Sequence, residues 1–169
     1  MTFKTFLSAL ALAVSAAAAH AAPLTLDGGW SSFSASYGKT SSWNTSFEFT
    51  LTESALLQVT DTGDNNDMYM VTVASSGTST DYATSTPVGG YAFSNDPDYT
   101  FGSDAFSSLE VLLEAGSYVI TGRLNNTAYS AGTGSIQIVS PTTVPLPASG
   151  LLLLGAFGGI VALRRKSRA

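Results

Sequence analysis

The densest group of oxygen ligands in the chain is the segment 61–67, which reads Asp-Thr-Gly-Asp-Asn-Asn-Asp. Calcium takes about six to eight oxygen ligands from carboxylates, carbonyls and waters, and an acidic loop between two strands can supply them. We therefore predict a calcium site at Asp61, Asp64 and Asp67, although the spacing fits no EF-hand. The alternative is an Asx-rich turn whose side chains bond their own backbone.

Catalytic chemistry has few candidate residues. The chain has no cysteine, and its one histidine, His20, lies in a segment that we expect to be removed. Acyl-transfer triads and imidazole metal sites therefore have no members in the mature protein. A carboxylate pair could still hydrolyse glycosides, but Glu110 and Glu114 flank an expected strand on its solvent side, where solubility explains them. We expect no enzymatic activity.

Five aromatic residues are candidates for carbohydrate binding, because an aromatic face is an apolar platform with polar edges. They are Trp30, Tyr37, Trp43, Tyr91 and Tyr99. Burial in the core is the alternative, and it is the commoner fate of tryptophan. A calcium-dependent carbohydrate-binding module requires these aromatics and the 61–67 loop to share one concave face.

Charge is divided sharply along the chain. The basic residues lie at the two ends, except for Lys39 and Arg123. All 12 acidic residues lie between the ends, so this central part carries a net charge of −10. Such a body repels nucleic acid, whose binding needs a cationic surface, and we exclude nucleic acid as a partner.

The N-terminal segment 1–21 has the layout of a secretory signal peptide. Lys4 precedes an apolar run at 6–14, which small residues follow. Ala19 and Ala21 occupy the small-residue positions of a cleavage site. We therefore predict export, cleavage after Ala21, and a mature protein that begins at Ala22.

The C-terminal end has the layout of a membrane anchor. A Pro-containing linker at 141–149 precedes an apolar helix expected at 150–163, and a basic tail at 164–169 follows. From residue 148 onward the apolar run would be about 24 Å long as a helix, which can just span a bilayer if basic side chains snorkel. The positive-inside rule keeps the tail in the cytoplasm and the body outside. The residues predicted to stop the membrane helix are Arg164, Arg165, Lys166 and Arg168.

The same end resembles the PEP-CTERM sorting signal in its VPLPA form. The motif residues are Val144, Pro145, Leu146, Pro147 and Ala148. The motif, the apolar helix and the basic cluster follow one another in the order of that signal. The resemblance implies recognition by an exosortase, a membrane cysteine protease that cleaves near the motif and releases the body or transfers it to the cell surface. PEP-CTERM proteins are associated with bacteria that produce exopolysaccharide, so the resemblance also implies an extracellular polysaccharide as a partner.

The body, residues 22–140, has the pattern of an all-β domain. Phe47, Phe49 and Leu51 alternate with polar residues, which is the period of a strand with one buried face. Further strands are expected at 55–59, 68–73, 109–113, 117–124 and 136–138, and a surface loop or ragged edge strand at 75–90. Short strands separated by Gly, Asn, Asp and Ser predict an antiparallel β-sandwich of jelly-roll type.

The body also resembles the β-sandwich modules of PEP-CTERM proteins, which are related to the pre-peptidase C-terminal type. The resemblance spans roughly 44–139 and depends on the segments 47–49, 59–71, 96–98 and 113–118. Those modules are mostly noncatalytic. We therefore predict a noncatalytic exported surface or matrix protein, sorted through its C-terminus, and keep a calcium-dependent carbohydrate-binding module as the alternative.

Overall fold

The computed structural model describes residues 21–36, 38, 40–126 and 131–141 of the chain. These residues form ten β-strands and one short α-helix, α1, at Pro97–Phe101. The strands are β1 (Ala21–Pro23), β2 (Ser31–Ala35), β3 (Ser46–Leu51), β4 (Ala55–Asp64), β5 (Met68–Ser75), β6 (Thr78–Ala83), β7 (Phe93–Ser94), β8 (Ser108–Leu113), β9 (Gly116–Asn126) and β10 (Gly132–Val139).

The strands are divided between two open sheets. The first has the order β1-β3-β9-β5-β6. In the second, β2, β10 and β4 are neighbours, and the far edge of β4 pairs with β8 and then with β7. The all-β prediction is therefore confirmed.

One pair of strands departs from the antiparallel arrangement that we expected. β1 runs parallel to β3, and Ala22 lies opposite Phe47. The chain between these two strands first crosses to the second sheet, where it forms β2. A parallel pair needs a long crossover connection of this kind.

Alternating burial in the first half of the body follows the pattern in the sequence. Phe47, Phe49 and Leu51 are buried, whereas Glu48 and Thr50 are exposed. β5 was expected to be apolar on both faces, and it does lie between two other strands. Its buried face carries residues 69, 71 and 73, while the methionines of its other face are only partly buried.

The segment 75–90 contains β6, which is an exposed edge strand of the first sheet. The edge-strand alternative for this segment is therefore confirmed.

Trp43 packs against three other aromatic residues in the core between the sheets. Its ring stacks on Phe33 with the centroids 3.8 Å apart and meets Phe47 and Tyr69 edge-on. Gly122 on β9 leaves space for the indole, because a Cβ at that position would lie 2.3 Å from Trp43 Cε2. The close approach of ring and backbone requires glycine here.

Helix α1 was not expected from the sequence. Asp96 is its N-cap and accepts hydrogen bonds from the backbone N–H groups of Asp98 and Tyr99, and Pro97 begins the helix. These are start signals of a helix, but its single turn is too short to show an apolar stripe. The helix packs on β4 through the buried hydroxyls of Thr60 and Thr100, 3.1 Å apart.

The two ends of the body are held together at Asp27. Its carboxylate accepts the backbone N–H of Ser140 at 2.8 Å and the Ser140 hydroxyl at 2.7 Å. The backbone N–H of Asp27 also donates to the carbonyl of Ile138. The C-terminal end of β10 is thus hydrogen-bonded to the N-terminal segment.

Several predicted segments lie outside the described residues. They are residues 1–20 of the signal peptide, residues 142–149 of the linker, and the whole of the predicted membrane helix at 150–163 and basic tail at 164–169. Among the residues that the structure describes, no helix is long and apolar enough to cross a membrane.

Candidate functional site

The acidic segment 61–67 carries the chain from one sheet to the other. It occupies the last residues of β4 and the connection to β5. Gly63 and Asn66 both have positive φ, near +87° and +85°, which is the conformation that Gly and Asn tolerate best in turns. The segment therefore turns sharply, and its acidic side chains point to different surroundings.

Asp61 and Asp67 are buried in the interior, with relative exposures of 0% and 3%. Asp61 Oδ2 accepts the backbone N–H of Asp67 at 3.2 Å. Burial, reinforced by the neighbouring charge of Asp67, raises the pKa of Asp61 to about 8. Asp61 therefore keeps its proton near neutral pH.

The Tyr69 hydroxyl lies beside the side chain of Asp61. It donates to the carbonyl of Thr133 at 2.8 Å and lies 3.4 Å from Asp61 Oδ1. Burial, together with the nearby charges of Asp61 and Asp67, raises the pKa of Tyr69 well above its usual value of 10. Because the hydroxyl has a single proton and the Thr133 contact is the shorter, protonated Asp61 can donate to the Tyr69 oxygen.

Asp64 lies away from this buried pair. Its side chain is partly exposed, and Oδ1 accepts the hydroxyl of Tyr91 at 2.5 Å. Phe93 is paired directly opposite Asp64 in the β4–β7 ladder. Directly opposite residues of an antiparallel pair extend to the same face of the sheet. Asp64, Tyr91 and Phe93 therefore lie together at one surface, which we call the aromatic platform.

Asn65 fixes the backbone that carries the aromatic platform. It is 1% exposed, and its side-chain amide donates to the carbonyls of Gly90 and Ala105. Its Oδ1 accepts the backbone N–H of Ala92, and its own backbone N–H donates to the Ala92 carbonyl. The backbone on both sides of Tyr91 is thus bonded to one buried residue.

The predicted calcium ligands do not come together as a set. Asp61 and Asp67 are adjacent in the interior, and Asp64 lies at the surface on Tyr91. No group of three or more His, Cys, Asp or Glu side chains that could hold a metal ion occurs in the part of the chain that the structure describes. The geometry does not favour the calcium site, which stays a prediction.

Asp96 and Asp98, which follow β7, both accept hydrogen bonds from within the body. Asp96 caps α1, and Asp98 accepts the indole N–H of Trp30 at 2.8 Å. The Trp30 ring lies beside Phe101, with the centroids 5.7 Å apart. Asp98 therefore links α1 by a hydrogen bond to Trp30, the residue directly before β2.

The five predicted sugar-binding aromatics have different fates. Trp43 is buried in the core and cannot bind a ligand there. Tyr91 and Tyr99 are 68% and 58% exposed, and Trp30 is partly exposed. Tyr37 lies outside the described residues. Tyr91 contacts the predicted acidic loop through its hydrogen bond to Asp64.

Glu110 and Glu114 have the surroundings that we expected of solvent-facing residues. Both are exposed, and Glu110 accepts the side-chain amide of Gln58 at 2.7 Å. Gln58 in turn accepts from Gln137, so that a polar row crosses β8, β4 and β10. Glu110 is therefore part of a hydrogen-bonded row of polar side chains on the second sheet.

The sorting-motif residues and the basic stop residues lie outside the described part of the chain. Comparison of the sequence with protein-family models and with curated proteins finds no match.

Two features of the surface were not found from the sequence. Phe93 is 60% exposed and was not among the candidate aromatics. Asp27 was not singled out, although Asp-Gly-Gly at 27–29 is a turn signal. The local sequence around Phe93 or Asp27 does not identify the residue that it contacts. Phe93 lies opposite Asp64, and Asp27 bonds to Ser140, because the fold brings distant segments together.

Proposed function

We propose that this chain is a noncatalytic exported protein of the cell surface or extracellular matrix, sorted by a PEP-CTERM-type signal of the VPLPA form. In this proposal the signal peptide is removed after Ala21, and the helix at 150–163 anchors the body in the inner membrane. An exosortase-type protease then acts near Val144–Ala148. The released body is part of a layer that contains extracellular polysaccharide.

The observation that carries the proposal is the bond between Asp27 and Ser140. Both oxygens of the Asp27 carboxylate accept hydrogen bonds from Ser140, the last residue before Pro141. The body thus closes on itself immediately before the linker. The end of β10 is therefore held by contacts among described residues of the body, which is what a body released by removal of a downstream sorting signal requires.

The strand order supports the jelly-roll type that we propose for the fold. Without β1 and β7, the sheets read β2-β10-β4-β8 and β3-β9-β5-β6. Strands that are consecutive along the chain from β2 to β5 alternate between the two sheets, as in jelly-roll domains.

Intact-mass analysis of the native protein, recovered separately from envelope and medium fractions, tests the proposal. In both fractions we expect the mass of a chain whose first residue is Ala22. In the medium we also expect that this chain ends within or near Val144–Ala148. A protein that retains Met1, or a medium form that retains the basic tail, would contradict it.

A matched pair of variants assigns processing to the motif. Replacement of Pro145 and Pro147 by alanine should abolish the shorter form, because the segment can then join the adjacent helix. Replacement of Thr142 and Thr143 by alanine, in the same linker, should leave processing unchanged. Equal processing in both variants would remove the basis for the VPLPA signal.

A further inference from the structure

Exposed apolar side chains are concentrated in one stretch of the body. Seven large hydrophobic residues are exposed in the described part of the chain. Four of them lie in the segment 88–99, which includes β7 and the first turn of α1: Val88, Tyr91, Phe93 and Tyr99. A cluster of exposed apolar side chains marks a site of interaction more often than isolated ones do.

We propose that the aromatic platform, Tyr91 and Phe93 beside Asp64, is a binding site for neutral saccharides that requires no calcium. The rings are 68% and 60% exposed, so each offers an apolar face to the C–H groups of a sugar ring. The Asp64 carboxylate has acceptor positions beyond the one that Tyr91 uses, and it can accept sugar hydroxyls. The site goes beyond the proposed export and sorting, and does not depend on C-terminal processing.

The platform is preorganised. Asn65 fixes the backbone at Gly90, Ala92 and Ala105 through its buried amide. The bond from the Tyr91 hydroxyl to Asp64 then fixes the direction of the ring. A rigid ring loses little conformational entropy when a ligand binds, which favours affinity from a small contact area.

Charge selects the class of ligand. No lysine or arginine occurs between residues 40 and 122, and the platform itself contains Asp64. Asp96, Asp98 and Asp104 follow in the adjacent segment. An anionic surface is repelled by anionic lipid headgroups and by polysaccharides rich in uronic acids. A neutral saccharide has both the apolar faces and the hydroxyl groups that these side chains complement.

The test is affinity gel electrophoresis of the full chain in detergent. The gels contain glucomannan, hydroxyethyl cellulose or dextran as neutral probes and alginate as the anionic probe. We expect at least one neutral polysaccharide to retard the protein, no retardation by alginate, and the same result in EDTA. Failure of all three neutral probes, retardation by alginate alone, or loss of binding in EDTA would each overturn the proposal.

Variants locate the site. The double variant Tyr91→Ala, Phe93→Ala should weaken retardation at least about tenfold, which corresponds to about 1.4 kcal/mol, because both aromatic faces are lost. Tyr91→Phe keeps the ring, frees the Asp64 oxygen and should keep most of the binding. Leu112→Ala removes another exposed apolar side chain, which is 56% exposed on β8, and should leave binding unchanged.

Thermal melting confirms that each variant is folded, and Phe93→Ala alone replaces the double variant if that variant unfolds. Binding retained in the alanine variants overturns the proposal. The proposal is also overturned if the alanine variants change only the oligomeric state measured by light scattering. The platform would then bind a second copy of the chain.

Discussion

The side chain of Asp61 accepts a hydrogen bond from the backbone N–H of Asp67 at 3.2 Å, and both aspartates are buried. Two carboxyl groups are thus enclosed together at the junction of the two sheets. Asp61 holds a proton because burial and the Asp67 charge disfavour its ionised form. The junction is therefore sensitive to pH, although no catalytic role is needed to explain it.

Stability should fall as pH rises from about 4 to about 8. The unfolded chain releases the Asp61 proton near its ordinary pKa of 3.8, whereas the folded chain keeps it up to about 8. The folded state therefore binds more protons in this window, and the loss is at most about 1.4 kcal/mol per pH unit for one group. Denaturant unfolding across this range measures the slope. A slope that is the same in Asp61→Asn would show that another group is responsible.

Asp61→Asn and Asp61→Ala should differ strongly in stability. Asparagine can accept the Asp67 N–H and donate to the Tyr69 oxygen, so we expect little loss at neutral pH. Alanine leaves the buried N–H without its acceptor and should cost about 1–3 kcal/mol or more, because a cavity also forms. Urea unfolding compares the two. Equal destabilisation would contradict the hydrogen-bonding role of the Asp61 side chain.

Gly122→Ala should destabilise the body by about 1–3 kcal/mol or more, because the new Cβ would lie 2.3 Å from Trp43 Cε2. Gly116→Ala is the matched control on the same strand, since its nearest neighbour would lie at an ordinary 3.5 Å. Thermal unfolding measures both. Trp43→Phe should partly rescue Gly122→Ala, and additive effects of the two substitutions would contradict the direct contact.

Removal of the Asp27 side chain should open the end of β10. Asp27→Gly suits the backbone, which has a φ of +56°, and deletes both hydrogen bonds to Ser140. Hydrogen exchange of peptides covering 132–141 should become faster, while Asp27→Asn should keep most of the protection. The hydrogen bonds from Ser140 lower the pKa of Asp27, so the contact should weaken only as pH falls below the ordinary value of 3.8. Unchanged exchange in the glycine variant would show that β10 is held without Asp27.

Calcium and magnesium at equal concentration should raise the melting temperature equally. The observed geometry separates Asp64 from Asp61 and Asp67, so screening of the acidic body, which responds to both cations, is the expected effect. A larger effect of calcium, lost in the Asp64→Asn, Asp67→Asn double variant, would restore the calcium site.

Local patterns in the sequence were enough to predict β3, β4, β5, β8, β9 and β10, whereas β1, β2 and β7 were not expected. Alternation at 47–51 predicts which side chains of β3 are buried, because the two faces of a strand follow from its period alone. The export and sorting signals are also read from local order of residue types, and they stay predictions here. The strand order of the two sheets, in contrast, depends on the pairing of β3 with β9 and of β4 with β10, which joins residues far apart in the chain.

The fates of individual functional candidates were decided by tertiary structure. Trp43 and Tyr91 are both aromatic residues in polar segments, yet one fills the space above Gly122 and the other is exposed beside Asp64. Likewise Asp61 and Asp64 belong to one acidic segment, and only Asp61 is buried. Burial and contact depend on what distant strands bring to each side chain, and a run of residue types does not contain that information.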